Sequence, residues 1–220
     1  MKKNLIFILT LICVLVLTGC KNNRGLAFKE DYESMNGKTN ASGKVHRTVS
    51  IDSNNPFEQI TPEELLNKLQ SKETFYVYFG DKLCPWCRSV IEKAIEVANN
   101  KNIEKIYYVA IWDDEGKEIV RDKYELQDGK IIKTIEGCKE YSKLLEYFDN
   151  VLSDYNLTDT NENKVSTGEK RIYAPNFIYV ENGTSIRLTT GISEKQNDSR
   201  ETLTNEILED EEELFDEFFK

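Results

Sequence analysis

The chain contains very little histidine: a single residue, His46, among 220. Histidine is the side chain best suited to transfer protons near neutral pH, so its scarcity limits the possible chemistry. His46 lies in a stretch rich in Asn, Lys, Ser and Gly, which predicts an unordered linker residue. The sequence therefore argues against acid–base catalysis by histidine.

Positive charge is also in short supply. The chain has 29 Lys and Arg against 39 Asp and Glu, which gives a net charge of −10. Proteins that bind nucleic acid need basic surfaces to neutralise phosphates, and many peripheral membrane proteins carry a polybasic patch. The sequence therefore predicts no nucleic-acid partner and no electrostatic membrane patch.

Long apolar runs are limited to one, from Leu5 to Leu17, and only Thr10 interrupts it. Its 13 residues are fewer than the roughly 20 that a helix needs to span a bilayer. With Lys2 and Lys3 in front of it, the run has the length and flanks of a secretory signal. An N-terminal membrane helix is the alternative.

The run ends in Leu17-Thr18-Gly19-Cys20, which resembles a bacterial lipobox. That resemblance implies a signal peptide over residues 1–19, cleavage before Cys20, and diacylglycerol on the Cys20 sulfur. Two acyl chains anchor a protein stably, whereas one binds only marginally. We therefore expect a lipid anchor on the extracytoplasmic face of a bacterial cell membrane, with an ordinary cleaved signal as the alternative. Loss of Lys2 and Lys3 would take the net charge from −10 to −12.

Cysteine is scarce in the predicted mature chain. Of five cysteines, Cys13 leaves with the signal peptide and Cys20 carries lipid, so that three thiols remain: Cys84, Cys87 and Cys138. A domain stapled by disulfides would need more. A close cysteine pair in an oxidising compartment therefore indicates chemistry more than scaffolding.

The chain after the signal divides into two parts. Residues 20–55 have few aliphatic side chains, which predicts a flexible tether. Residues 56–220 predict one folded domain. Near its start, Thr61–Glu64 combines an N-cap, a proline at the first helical position and a capping-box glutamate. This pattern predicts a helix that ends at about Gln70.

A strand–helix–strand pattern occupies the centre of the domain. Phe75–Phe79 is aromatic and β-branched, which is typical of a strand buried on both faces. From Pro85 to about Asn100 apolar residues recur at helical spacing, and Ile106–Trp112 is a second buried strand. This order predicts that the two strands pair in parallel.

A less regular insertion, about residues 113–171, comes next, and we expect it to be mainly helical. Its predicted elements are a helix over Glu118–Lys123, a hairpin of Tyr124–Leu126 with Lys130–Ile135, an amphipathic helix from Tyr141 to about Tyr155, and a polar loop over Thr158–Lys170.

Strand signals return at Ala174–Val180. Asn182-Gly183 is a hairpin turn, so Ser185–Thr190 is expected to pair back antiparallel. An acidic helix over Thr202–Phe219 closes the chain. Its expected core contacts are Leu203, Ile207, Leu214 and Phe218.

The motif that carries chemistry is Cys84-Pro85-Trp86-Cys87, where the first strand gives way to its helix. Residues three apart in a first helical turn have Cβ atoms about 5–6 Å apart, close to what a disulfide requires. Cys84 at the helix N-terminus would be the nucleophilic thiolate, because free amides and the helix dipole favour negative charge. Cys87 would be the resolving thiol. Pro85 fixes the helix start, and Trp86 offers a partner polypeptide an apolar surface.

The cysteine pair has two other interpretations, a zinc site and a structural disulfide. Zinc needs four ligands, and only Cys138 and His46 could supplement the pair, so we expect no metal and no cofactor besides a redox-active disulfide. A permanent structural disulfide is the stronger alternative, although a four-residue ring removes little chain entropy. Cys138 itself is expected to be structural, with a role as a third redox-active thiol as the alternative.

The order of these elements resembles the thioredoxin superfamily over roughly residues 57–219. The resemblance implies a thioredoxin-like α/β fold, with a central mixed sheet flanked by helices. It also implies a cis-proline that faces the cysteines, for which Pro175 is the candidate. Ala174, just before it, would bind a client peptide through its backbone. Thioredoxin has a buried acid six positions before its first cysteine, where this chain has Tyr78.

The resemblance implies a thiol–disulfide oxidoreductase that acts on exported cysteine-containing proteins or peptides and is reset by a membrane or extracellular redox partner. The direction of electron flow stays open, although the proline-first dipeptide and the missing acid favour oxidation or isomerisation. The lipidated layout also resembles accessory lipoproteins of Gram-positive bacteria, including the bacteriocin transport accessory type. The alternative is therefore a non-catalytic lipoprotein that uses the same fold to hold an exported peptide.

Overall fold

The computed structural model describes residues 24–40 and 42–220 of the chain. The predicted signal peptide, residues 1–19, and the predicted lipid attachment at Cys20 lie outside the described residues. Among the helices described, none combines the length and apolar character needed to cross a membrane.

Nine strands and five helices make up the described fold. The strands are β1 (Phe57–Gln59), β2 (Phe75–Gly80), β3 (Ile106–Ala110), β4 (Lys123–Gln127), β5 (Lys130–Ile135), β6 (Ser153–Thr158), β7 (Lys164–Arg171), β8 (Asn176–Glu181) and β9 (Thr184–Thr189). The helices are α1 (Arg24–Glu33), α2 (Pro62–Gln70), α3 (Pro85–Asn100), α4 (Tyr141–Phe148) and α5 (Asn205–Phe218).

A five-stranded mixed sheet forms the centre, in the order β1-β3-β2-β8-β9. β3 pairs in parallel with both β1 and β2, as the strand–helix–strand pattern predicted. β8 runs antiparallel to β2 and to β9. In this register Tyr78 in the middle of the sheet lies opposite Tyr108 on one side and Phe177 on the other.

Each face of the sheet carries its own apolar core. Because successive strand residues point to opposite faces, Tyr78 and Tyr108 belong to one core whereas Val77 and Val109 belong to the other;. Side chains of α1, α3 and α5 pack on the first face, and those of α2 and α4 pack on the second. The predicted class, α/β with a mixed sheet flanked by helices, is confirmed.

The helices that flank β2 begin as their sequences indicate. The Thr61 hydroxyl accepts the Glu64 backbone N–H, and the Glu64 carboxylate accepts the Thr61 N–H, so the predicted capping box is present. α3 runs from Pro85 to Asn100, as predicted. β3 is shorter than predicted, since it ends at Ala110 and not at Trp112.

The expected flexible tether over residues 20–55 is wrong for the described part of that range. α1 is a ten-residue helix, and the Phe28 ring on it stacks on Phe57 with ring centroids 4.4 Å apart. The segment buries four apolar side chains in the first core: Phe28, Tyr32, Val49 and Ile51. A few well-placed apolar residues suffice here, because Arg88 of α3 binds the backbone of this segment.

The expectation for His46 is wrong in the same way. Only 4% of its surface is exposed, so it is an ordered, buried residue and not a linker position. Neither ring nitrogen has a hydrogen-bond partner. Burial, together with the charges of Arg88 and Arg200, lowers the pKa of His46.

The insertion at 113–171 contains more strand than helix, so the expectation of a mainly helical insertion is wrong. The hairpin of β4 and β5 is confirmed, but β6 and β7 form a second hairpin where a polar loop was expected. Val165 is the one apolar side chain of β7, so the strand shows no apolar alternation in its sequence;. The turn between β6 and β7 is held by the Asp159 carboxylate, which accepts the N–H groups of Asn161 and Asn163.

Two stretches of the insertion that were predicted to be helical are not helical. Residues 118–123 form no helix, because Glu118 bridges to Trp112 and Val120 pairs with Cys138, which buries Val120. α4 ends at Phe148, well before Tyr155. The Asn150 side-chain amide donates to the Ser185 carbonyl of β9 at 2.5 Å. This contact with a distant strand is made where a longer helix was predicted.

The terminal hairpin and helix follow the prediction closely. The turn at Asn182-Gly183 joins β8 and β9, and α5 begins after the N-cap Thr204. Ile207 and Phe218 are buried as expected, whereas Leu203 and Leu214 are only half-buried. The sequence analysis missed Phe215, which is fully buried against Phe177.

Candidate active site

The cysteine motif lies where the central strand β2 passes into α3. β2 ends at Gly80, and Cys84 is the N-cap of α3, with φ −74° and ψ 118°. The Cys84 N–H donates to the Asp81 carbonyl at 3.1 Å, which closes the turn between strand and helix. The predicted position of Cys84 at a helix N-terminus is therefore where the fold places it.

The Cys84 sulfur takes the place of a capping oxygen. It accepts the backbone N–H of Cys87 at 3.4 Å. A hydrogen bond from the Cys87 thiol, together with the backbone N–H groups of Cys87 and Trp86, lowers the pKa of Cys84 against the opposing effect of burial. Such an environment favours the thiolate, which is the attacking species in disulfide exchange.

The Cys87 sulfur has the opposite character. Cys87 is completely buried, and burial raises the pKa of its thiol well above the usual value, helped by the negative charge that develops on Cys84. The two thiols therefore differ in the way an attacking and a resolving cysteine should. Both are free thiols in this structure.

The loop before β8 forms the wall opposite Cys84. The Ala174–Pro175 peptide bond is cis, as predicted. The Cys84 sulfur lies 3.5 Å from the Ala174 carbonyl oxygen, to which a Cys84 thiol donates. The loop is held by the Asn176 side chain, which accepts the Tyr173 N–H at 2.6 Å. Two segments 90 residues apart thus meet at the reactive sulfur.

Pro85 and Trp86 occupy the first turn of α3. Pro85 is the first helical residue, as predicted. Trp86 is half-buried against the first core, so part of its ring stays at the surface beside Cys84. The predicted role of Trp86 as an apolar contact for a partner polypeptide stays a prediction.

Asp81 is a buried carboxylate close to the motif. Only 2% of its surface is exposed, and its oxygens accept the backbone N–H groups of Leu83 at 2.8 Å and Trp112 at 3.2 Å. Burial raises the pKa of Asp81 to about 6. Its charge in turn raises the pKa of Cys84, so the two groups interact.

A pair of buried tyrosines lies behind Cys87. The Tyr78 hydroxyl is 2.8 Å from the Tyr32 hydroxyl, and both rings are completely buried. Interaction with the Tyr78 hydroxyl lowers the pKa of the Cys87 thiol and so offsets part of the rise that burial causes. The Tyr78 ring lies over Gly80, where any side-chain carbon would come within 2.0 Å of the hydroxyl.

The residue after the motif, Arg88, is also fully buried. Its guanidinium donates to the carbonyls of Tyr32, Arg47 and Lys82 and to the Asn36 side chain, at 2.6–3.2 Å. The N-terminal segment is thereby fixed to the helix that carries both cysteines.

The third thiol, Cys138, belongs to the second core, on the other face of the sheet. It is half-buried, and burial raises the pKa of its thiol to about 11. Within residues 24–40 and 42–220, no group of three or more His, Cys, Asp or Glu side chains is arranged to hold a metal ion.

Four side chains around the cysteines were not among the predicted site residues: Tyr32, Tyr78, Asp81 and Arg88. Asp81 had a visible signal, since it is an acid between a buried strand and the motif. Arg88 had a weaker one, as a charge on the apolar side of a helix. The sequence around Tyr32 contained no such signal apart from its four-residue spacing from Phe28.

Comparison with known proteins adds no identification. No family model matches the chain, and no curated protein matches it.

Proposed function

We propose that this protein is a thiol–disulfide oxidoreductase with a thioredoxin-like fold. Cys84 is the nucleophile and Cys87 the resolving thiol. The observation that carries the proposal is the opposite character of the two thiols: a Cys84 sulfur that caps a helix, and a Cys87 sulfur buried one turn deeper. The fold assignment is supported by the mixed sheet, the motif between β2 and α3, and the cis-proline loop against Cys84.

The clients we propose are exported cysteine-containing proteins or peptides. The Ala174 carbonyl beside Cys84 and the accessible part of Trp86 offer one backbone contact and one apolar contact to an extended peptide;. A membrane or extracellular redox partner would reset the pair after each turnover. No metal and no other cofactor is part of the proposal.

Turnover of model disulfides tests the activity. The purified domain is assayed for reduction of insulin and for oxidative refolding of reduced ribonuclease, beside Cys84→Ala and Cys138→Ala variants. We expect Cys84→Ala to fall to the background without enzyme, and Cys138→Ala to retain wild-type rates. A wild-type protein no more active than Cys84→Ala in both assays would contradict the proposal and favour the non-catalytic accessory lipoprotein.

The membrane anchor is a second part of the proposal. The lipobox-like ending of the apolar run supports lipidation at Cys20. Because the described fold begins at Arg24, the chain between the two residues spans at most about 14 Å when extended. A lipidated protein would therefore hold this domain close to the membrane surface, not on a long tether.

Metabolic labelling tests the anchor. Cells that express the full chain are grown with a radiolabelled fatty acid and separated into membrane and soluble fractions. We expect label on the wild-type protein in the membrane fraction and none on Cys20→Ala. Unlabelled wild-type protein would refute the anchor without bearing on the cysteine chemistry.

A further inference from the structure

We propose that Arg121, oriented by Glu118, is a positioning residue that holds the cis-proline loop, residues 172–175, in place for client binding. The inference rests on the proposed function and identifies what fixes the backbone that a client peptide would meet. Arg121 belongs neither to the cysteine motif nor to that loop. It lies near the start of the insertion, 51 residues before Ile172, the loop residue that it binds.

Arg121 reaches the loop through one hydrogen bond. Its Nη1 donates to the Ile172 carbonyl at 3.2 Å. Because Ile172 is completely buried, its carbonyl needs a donor from within the protein;. Ala174, two residues further along the chain, places its own carbonyl oxygen 3.5 Å from the Cys84 sulfur. The bond from Arg121 therefore holds the backbone immediately before the part of the loop that faces the reactive sulfur.

Glu118 fixes the direction of the Arg121 side chain. The Arg121 Nε donates to both carboxylate oxygens of Glu118 at 3.0 Å, and its Nη2 donates to Oε2 at 2.5 Å. The two side chains are only 6% and 5% exposed. A guanidinium is planar and rigid, so a carboxylate bound along one edge also fixes the nitrogen on the other side. Here that remaining nitrogen is the one bound to Ile172.

A second arginine strengthens the same junction from the other end of the insertion. Arg171, the last residue of β7, donates from Nη1 to the Asp122 carbonyl at 2.7 Å. Its Nη2 lies 3.9 Å from the Glu118 carboxylate. Arg121 and Arg171 thus each bind a backbone carbonyl next to the other arginine. The start of the loop therefore cannot move without breaking contacts to the beginning of the insertion.

Glu118 is also connected to the turn that carries the nucleophile. It forms an antiparallel bridge with Trp112, and the Trp112 N–H donates to the Asp81 carboxylate at 3.2 Å. The Asp81 carbonyl in turn accepts the Cys84 N–H at 3.1 Å. Glu118 and Arg121 therefore position the two sides of the site relative to each other, the loop on one side and the cysteine turn on the other.

A positioning role predicts that client binding and thiol reactivity respond differently to loss of the guanidinium. A protein client would contact the loop backbone, whereas a small disulfide only has to reach the Cys84 sulfur. In Arg121→Met we expect KM for a protein client to rise about threefold to tenfold, as for one lost hydrogen bond, with kcat and the reaction with a small disulfide unchanged. A residue that only stabilised the fold would change none of these in folded protein, and general distortion of the site would change them all.

Two assays measure the difference on protein whose fold is checked by circular dichroism. Insulin reduction, with dithiothreitol as the reductant, gives kcat and KM. Reaction of pre-reduced protein, freed of reductant, with dithiobis(nitrobenzoate) gives the rate constant of the Cys84 thiol, taken as the phase that Cys84→Ala lacks. Arg187→Met is the matched control, since its guanidinium binds backbone carbonyls at the C-terminal end. We expect wild-type values from this control in both assays.

A second variant covers a failure to fold. Arg121→Met leaves the buried Glu118 carboxylate without its main partner, which destabilises a folded protein strongly. Glu118→Met combined with Arg121→Met removes both charges and fills the space with apolar side chains, a replacement that buried ion pairs often tolerate. The double variant loses the same bond to Ile172, so we expect the same rise in KM. It decides the matter if the single variant does not fold.

The outcomes separate this inference from the proposed function. With wild-type turnover that depends on Cys84, an unchanged KM for insulin in the folded variants would overturn the positioning role and leave the function standing. An equal loss in both assays would overturn it as well, since the loop would then not act on binding. Absence of Cys84-dependent turnover in the wild type would overturn the proposed function, and this inference with it.

Discussion

Arg88 donates a hydrogen bond from its guanidinium to the backbone carbonyl of Tyr32 at 2.7 Å. This contact joins the residue that follows the second cysteine to a helix near the beginning of the described chain. The same guanidinium binds the Arg47 carbonyl through two nitrogens, at 2.6 and 2.8 Å. The N-terminal segment is therefore part of the cysteine site, not a tether outside the domain.

Replacement of Arg88 should release this segment. Arg88→Met would leave buried carbonyls of Tyr32 and Arg47 without donors, and each such loss costs about 1–3 kcal/mol. We expect a loss of about 3–5 kcal/mol in the free energy of unfolding, measured by urea denaturation, and faster proteolysis within residues 34–50. Arg187→Met is the control, since its guanidinium binds carbonyls near the exposed C-terminus and should cost less than about 1.5 kcal/mol;. Equal stability of Arg88→Met and wild type would contradict this role.

Asp81 should make the reactivity of Cys84 depend on pH. The Asp81 carboxylate raises the pKa of Cys84, and its own pKa is about 6. Asp81→Asn removes that charge, so we expect a lower pKa for Cys84. Alkylation of Cys84 at pH 7 should be faster in the variant by a factor of about two to five, as each tenfold corresponds to about 1.4 kcal/mol. Below pH 5, where Asp81 is protonated in both proteins, the rates should converge. A rate ratio that does not change with pH would argue against the interaction.

Glu211 should destabilise the protein at alkaline pH. It is fully buried, neither carboxylate oxygen has a hydrogen-bond partner, and burial raises its pKa to about 8. The folded protein therefore holds a proton that the unfolded chain releases near pH 4.5, so stability falls as pH rises from about 4.5 to 8. Glu211→Gln should be more stable than wild type by on the order of 2–4 kcal/mol at pH 8.5 and nearly equal to it at pH 5. Thermal unfolding at both pH values measures this difference, and a stability gain independent of pH would point to packing instead.

Cys138 should react with alkylating reagents much more slowly than Cys84. Burial raises its pKa to about 11, whereas the pKa of Cys84 is lowered. We expect mass mapping of reduced protein, treated briefly with iodoacetamide at pH 7.5, to find Cys84 modified first, with Cys138 slower by at least about 100-fold, since thiolate fraction sets the rate. Cys138→Ala should leave insulin turnover within a factor of about two. Modification of Cys138 before Cys84 would show a reactive third thiol.

Local patterns were sufficient for the elements that carry the cysteines. The strand at Phe75–Phe79, the helix from Pro85 to Asn100 and the capping box at Thr61 depend on residues close in sequence. The position of Ala174-Pro175 against Cys84 came from a resemblance, and the 3.5 Å contact agrees with it. The predicted catalytic pair is thus at the helix start where the sequence placed it.

Patterns failed where the decisive partner is distant. The hairpin of β6 and β7 has few apolar residues, and its register is set by backbone pairing between two strands that are mostly exposed. Residues 118–123 have helical charge spacing, but Glu118 and Arg121 form a buried ion pair, 2.5 Å long, in a bent segment that is not helical. In both cases tertiary pairing overrides local propensity.

The sequence by itself determined which atoms can do chemistry: two thiols at a helix start, with no histidine near them in sequence and a strand of aromatics before them. Only the tertiary structure decided the environment of those thiols. The pKa of a thiol depends on burial and on nearby polar groups, and both burial and the Tyr78 hydroxyl act on the pKa of Cys87;. The Tyr78 hydroxyl lies 2.8 Å from the hydroxyl of Tyr32, which comes from a segment that reads as a linker. Contacts between residues 46 positions apart leave no periodic signal in a single sequence.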